Sequence, residues 1–152
     1  MINSIINEPY KIIWWSIPII SGISIIRWNY SIDIQMHDTY FVINSFHAGI
    51  LFAIVLFIIG GIYWLVKSKK LIDSLTIVHI TITIFLFLSI VIFFAKPDVV
   101  KMALDQNNSN FEAWKLWNQM IIGGILVWVL SQLIFLVNLV ISLIRNEENL
   151  NE

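Results

Sequence analysis

Residues 39–66 read TYFVINSFHAGILFAIVLFIIGGIYWLV and contain no Asp, Glu, Lys or Arg. A helix rises about 1.5 Å per residue, so roughly 20 apolar residues cross a hydrocarbon core of about 30 Å. This stretch is long enough to do so and is the clearest membrane span in the chain. On its C-terminal side Lys67, Lys69, Lys70 and Asp73 form a tight polar turn, and Ser74 to Ala95 is again free of those four residue types. That is a second such span. Lys96 to Lys115 is a polar loop with Pro97, Asp105, Asn107, Asn108 and Asn110, and Leu116 to Ile144 makes another span before an Arg145-Asn-Glu-Glu-Asn tail. On the N-terminal side, Asn29 to Tyr40 carries Asp33, His37 and Asp38 among aromatics, which suits a segment at the membrane surface. Tyr10 to Trp28 is apolar, is flanked by aromatics and contains Pro18, and so reads as a short, kinked first span.

The sequence therefore predicts an all-α integral membrane four-helix bundle, one domain over 1–152, with spans at about 10–28, 40–66, 74–95 and 116–144. Composition agrees. The 152 residues are 59% hydrophobic and 12% charged, with mean hydropathy +0.84, too apolar for an ordinary water-soluble domain. A net charge of -1 sets nucleic acid aside as a partner. The absence of cysteine excludes disulfides, thiolate metal sites and thiol nucleophiles. There is no Gly-rich phosphate loop, no Ser-His-Asp arrangement and no carboxylate pair within a span. The first eleven residues have no positive charge ahead of the apolar run, so a removable signal peptide is not expected.

Lysines and arginines of short loops stay on the cytoplasmic side. One face collects Lys11, Lys67, Lys69, Lys70 and Arg145, and the other Arg27, Lys96, Lys101 and Lys115. The lysine density between the second and third spans favours both termini in the cytoplasm. Tryptophans 14, 15, 28, 64, 114 and 117 fall near span ends, where interfacial anchors belong.

Three histidines are the only nitrogen donors for a transition metal. His47 lies about six residues into the second span, roughly 9 Å below its boundary. An ionisable residue within a span is a candidate functional group, because it must find a partner in lipid. On spacing alone the simpler reading is an imidazole satisfied by a carbonyl or serine of a neighbouring helix. His79, about five residues into the third span, reads as a buried histidine. His37 and Asp38, adjacent at the outer boundary, could hold a divalent cation but supply only half a site. Ser45, Gly49 and Ala53 recur every fourth residue and let helices approach closely. Ser131, Asn138 and Ser142 share one face of the fourth span with Gln132 beside them, which predicts interhelical hydrogen bonds.

The run Ser31-Ile-Asp-Ile-Gln-Met-His-Asp-Thr-Tyr-Phe-Val-Ile-Asn-Ser-Phe-His47 resembles the signature of subunit I of cytochrome c and quinol oxidases, which reads His-Asp-Thr-Tyr and then His-Phe-His at the start of the family's tenth helix. Gly60-Gly61-Ile-Tyr-Trp64, Val78-His79, Trp117-Asn118 and Ser131-Gln132 through Asn138 are similar, collinearly, to later family positions. The resemblance covers roughly residues 20 to 144, the family's last four helices. It implies that His47 occupies the axial-ligand position of a low-spin haem, that His37 and Asp38 match an outer magnesium position, and that the histidine of the oxygen-reducing haem is replaced by Ser45. Residues two apart on a helix point about 200° apart, so one helix can stand between two haems. Serine is a poor haem ligand, the helices carrying the copper histidines have no counterpart, and no arginine pair lies between the last two spans. The resemblance thus implies a haem-binding electron-transfer protein of the respiratory chain that holds no copper and does not reduce oxygen alone. Its partners would be the lipid bilayer, other oxidase or respiratory subunits, or a second copy packed along Ser45, Gly49 and Ala53. The competing reading is a haem-free accessory or assembly subunit. His47 and His79 are expected roughly 16 Å apart, too far to share one iron.

Overall fold

A computed structural model describes residues 8–69, 71–97 and 108–148. Of the expected polar features, Lys70, Lys101, Asp105 and Asn107 lie outside the described residues. Helix α1 spans Pro9–Ile26. Strands β1 (Tyr30–Met36) and β2 (Thr39–Asn44) follow, then α2 (Ser45–Leu65) and α3 (Asp73–Ser89). The latter runs on as a π-turn, Ile90–Phe94, before β3 (Lys96–Pro97) and α4 (Asn108–Glu148). Among the described residues, four helical stretches are long and apolar enough to cross a membrane: Pro9–Ile26, Ser45–Leu65, Asp73–Phe94 and Lys115–Ile144. The predicted helical membrane bundle is present, with Pro18 inside a continuous α1.

Two boundaries differ from expectation. Residues 39–44 belong to a β-hairpin rather than to the second span, so the fold is not purely helical. An uncharged apolar run suits a strand as well as a helix. Asn44 decides between them locally. Its backbone is extended (φ -62°, ψ 138°) and its Oδ1 accepts from Phe46 N at 2.8 Å, which starts α2 at Ser45. Its Nδ2 donates to the Trp28 carbonyl at 2.7 Å and so ties α2 to the end of α1. The second difference is at Asn108, expected in a loop, which opens a helix of 41 residues.

The hairpin pairs Ser31 with Asn44 through Met36 with Thr39, leaving His37 and Asp38 as a two-residue loop. His37 has φ 54°, the positive φ that such tight hairpin loops need at their first residue. Ile32, Ile34 and Ile43 share the face turned toward the helices, and Ser31, Asp33 and Gln35 alternate onto the other. On the far side of β1, β3 pairs with Tyr30 and Ser31. Further along that edge, Gln35 N donates to Asn118 Oδ1 at 2.8 Å, and Asn118 Nδ2 donates to Gln35 O at 2.9 Å. A side chain of α4 therefore takes the place of a neighbouring strand.

Below the hairpin, α1 packs along α2 and α3 packs along α4. At Gly49 an added Cβ would collide with the Ser24 side chain, and at Gly60 with the Trp14 indole. Close approach of α1 and α2 thus requires hydrogen in both places. Arg27, just past the end of α1, donates to the carbonyls of Val91, at 3.0 Å, and Ile92, and its guanidinium lies 4.9 Å from the Tyr30 ring. A cation there meets the negative end of α3. The start of α3 lacks a side-chain cap of its own. Asn138 of α4 supplies one, accepting from Ile72 N at 2.8 Å and donating to Ile72 O at 3.3 Å and Thr76 Oγ1 at 2.9 Å.

Candidate functional site

The beginning of α2 sets the two positions of greatest chemical interest. Ser45 is fully buried, on the side where Gly49, one turn later, meets Ser24 of α1. His47, about 200° round the helix, is exposed. Because α2 begins at Ser45, His47 sits in its first turn, not six residues inside a span. The expected depth of roughly 9 Å shrinks to about 3 Å at helical rise. Its imidazole makes a ring contact with Phe46 at 5.7 Å and lines a shallow cleft of about 560 Å³ with Ile25, Trp28, Asn44 and Phe46.

His79 has the opposite environment and is fully buried, as expected. Its Nδ1 lies 3.0 Å from Tyr63 Oη on α2, and its Nε2 lies 3.2 Å from Gln132 Oε1 on α4. An amide oxygen only accepts, so Nε2 carries the proton and Nδ1 accepts from the tyrosine. The ring also stacks on Phe135, with centroids 4.8 Å apart and planes 15° from parallel. Both nitrogens are engaged, which leaves no lone pair for a metal. Tyr63 is 16 residues after His47 on α2, so the two histidines are separated by roughly 24 Å along the bundle. The expected 16 Å is too short, in part because the second span begins later than the uncharged run suggests.

His37 and Asp38 stand at the hairpin tip, with Nε2 and Oδ2 3.4 Å apart and side chains more than nine-tenths exposed. Among the described residues no third His, Asp or Glu joins them, and no group of three is assembled anywhere. Tyr40, across the hairpin from Gln35, faces Asp33, whose side chain is 9% exposed. Burial first, and the Asp33 carboxylate second, push the Tyr40 phenol up to about 12, so it stays protonated at neutral pH.

The stripe Ser131, Asn138 and Ser142 is buried; Asn138, and Gln132 beside the stripe, make interhelical bonds as predicted, whereas the Ser131 hydroxyl donates within α4 to the Trp128 carbonyl at 2.7 Å. The small-residue stripe of α2 is also an interface, but with α1. It is not free to receive a second copy. Sequence reasoning passed over Tyr63 and the Asn118–Gln35 pairing. The Asn44 cap was the one local signal able to place the hairpin.

Between α2 and α4, which do not pack face to face, runs a cleft of about 360 Å³ lined only by apolar side chains, among them Ile43, Val55, Phe87 and Trp128. Comparison with protein-family models, with curated proteins and with solved structures finds no match to the chain.

Proposed function

We propose that the protein is a membrane subunit of the cytochrome c or quinol oxidase type that would hold one haem through His47 and pass electrons, with a further ligand supplied from outside the chain. One observation carries this reading: His47 is an exposed imidazole beside an aromatic and apolar wall, whereas both nitrogens of His79 are already bonded. The residues fit one side of a haem. His47 would hold the iron, and Trp28, Phe46 and Ile25 would cover that side of the macrocycle. When bound, the haem would supply one-electron oxidation and reduction. Ser45 offers a hydroxyl on a buried side of α2 near α1, which supports a chain without the oxygen-reducing centre.

A second reading, a haem-free accessory or assembly subunit, is favoured by the single imidazole at the cleft and by the cleft's shallow, one-sided form. An absorbance spectrum of the purified protein separates the two. The first reading predicts a Soret band that is lost in His47→Ala and kept in His79→Ala, a variant destabilised by about 2–4 kcal/mol through its cavity and broken bonds. A spectrum indifferent to His47→Ala, or without a Soret band after haem supply, leaves the second reading.

We also propose that both termini and the Lys67–Lys69 turn face the cytoplasm, with the hairpin and Asn108 outside. In a chain without native cysteine, an impermeant thiol reagent on intact cells should label Asn108→Cys and not Lys69→Cys. The reverse pattern inverts the topology.

A further inference from the structure

The two edges of the hairpin are treated differently. The β1 edge is closed by β3 and by the Asn118 side chain. The β2 edge has no strand beside it among the described residues. Edges exposed to water are ordinarily blunted by charge, proline or a bulge. The six residues of β2, TYFVIN, contain no charge and no proline, and pair in unbroken register. Tyr40, Phe41 and Val42 are 48%, 47% and 60% exposed.

Which backbone groups face outward follows from Gln35. Its N–H and carbonyl point away from β2, toward Asn118, so its cross-strand partner Tyr40 points the same groups away from β1. Val42, two residues on, does likewise. Among the described residues these groups have no partner, and they form a ladder at the membrane boundary, beside a surface that the exposed Leu51, Ile54 and Ile58 of α2 continue downward.

We propose that β2 pairs antiparallel with β2 of a second copy of this chain, about a twofold axis along the membrane normal that passes midway between the two copies of Val42. Three features select a copy over another occupant. The edge is uncharged, so two copies meet without repulsion. It is self-complementary: with Val42 opposite itself, Tyr40 lies opposite the second copy's Asn44, and the outward groups of Tyr40 and Val42 are matched. The hairpin caps one end of a membrane bundle, so two copies inserted the same way present this edge at the same height. A strand contact alone buries too little for a stable dimer, and the adjoining α2 surface supplies the remainder. The proposal does not rest on haem binding, since every residue it uses is on the chain itself.

The test uses the full chain in its own membranes. Val42→Cys under mild oxidation should give a linked species of twice the chain mass, and Trp15→Cys, 73% exposed on α1, should not. Val42→Pro removes an outward N–H that β1 does not use, and should convert the detergent-solubilised dimer to monomer by light scattering. Val42→Lys, which sets two cations across the axis, should weaken the dimer at least tenfold, with partial recovery in high salt. If the Val42→Cys variant instead links into a product of any other mass, the edge belongs to a different chain. A monomeric wild type, together with a Val42→Cys thiol that reacts with soluble maleimide, would show the edge free. Either result overturns the proposal, and neither bears on the Soret band.

Discussion

Gly49→Leu is expected to separate α1 from α2 and to cost about 3 kcal/mol or more, because the new side chain would have to occupy the space of Ser24. The informative variant is smaller. Gly49→Ala should gain up to about 1 kcal/mol of helix propensity but lose about 1–3 kcal/mol to the collision, so a net loss shows that packing outweighs backbone freedom. Ser24→Gly, which removes the atoms that the Ala Cβ would strike, should restore most of that loss in the double variant. A coupling of about 1 kcal/mol or more from unfolding in mixed micelles would confirm the contact. Additive single effects would mean that the two helices do not meet there. Gly60→Ala faces the Trp14 indole, a side chain able to turn aside, and should cost less.

Asn138→Leu should destabilise the bundle by about 2–4 kcal/mol. Three hydrogen bonds end on this one side chain, and in membrane proteins each contributes on average about 0.6 kcal/mol and at most about 1.7. Their sum is near 2. The upper end of the range applies where the Ile72 N–H, at a helix start that has no cap of its own, finds no new acceptor. Thr76→Val removes the bond from Asn138 and the one that the Thr76 hydroxyl donates to Ile72 O at 3.1 Å, and should cost about 1 kcal/mol, less than Asn138→Leu. Asn138→Asp keeps the acceptor for Ile72 N but loses both donations, so its stability should fall between wild type and Asn138→Leu. Backbone amide exchange at Ile72 reads the same event directly. Protection unchanged in Asn138→Leu would show that the cap is not made by this side chain.

How far the sequence could be read is visible at these residues. The spans were legible because lipid contact demands long uncharged runs, and charges cluster where the chain turns. The packing of α2 through Ser45 and Gly49 was legible as an interface, since small residues at a four-residue period permit close approach. Its partner was not, because a stripe says how near a neighbour comes and not which neighbour. The hairpin was missed for a physical reason: residues 39–44 carry no charge and residues 40–43 are aromatic or β-branched, and periodicity cannot distinguish such a short run from the start of an adjoining helix. The misplaced boundary propagated to His47, whose depth and separation from His79 were counted from it. Tyr63 was invisible for another reason. A tyrosine near a span end reads as an interfacial anchor, and only the fold brings its hydroxyl to a histidine sixteen residues later.

Asn118 and Asn138 are 20 residues apart on one helix, which places them about 30 Å from each other along its axis, the thickness of a hydrocarbon core. One grips the backbone of the hairpin and the other grips the first turn of α3. Pinned at two levels, α4 has no freedom to slide lengthwise past its neighbours. In a thinner or thicker membrane the bundle must answer hydrophobic mismatch as a rigid strut, by leaning as a whole or by deforming the lipid around it, and the spacing of the two asparagines sets the thickness at which it stands unstrained.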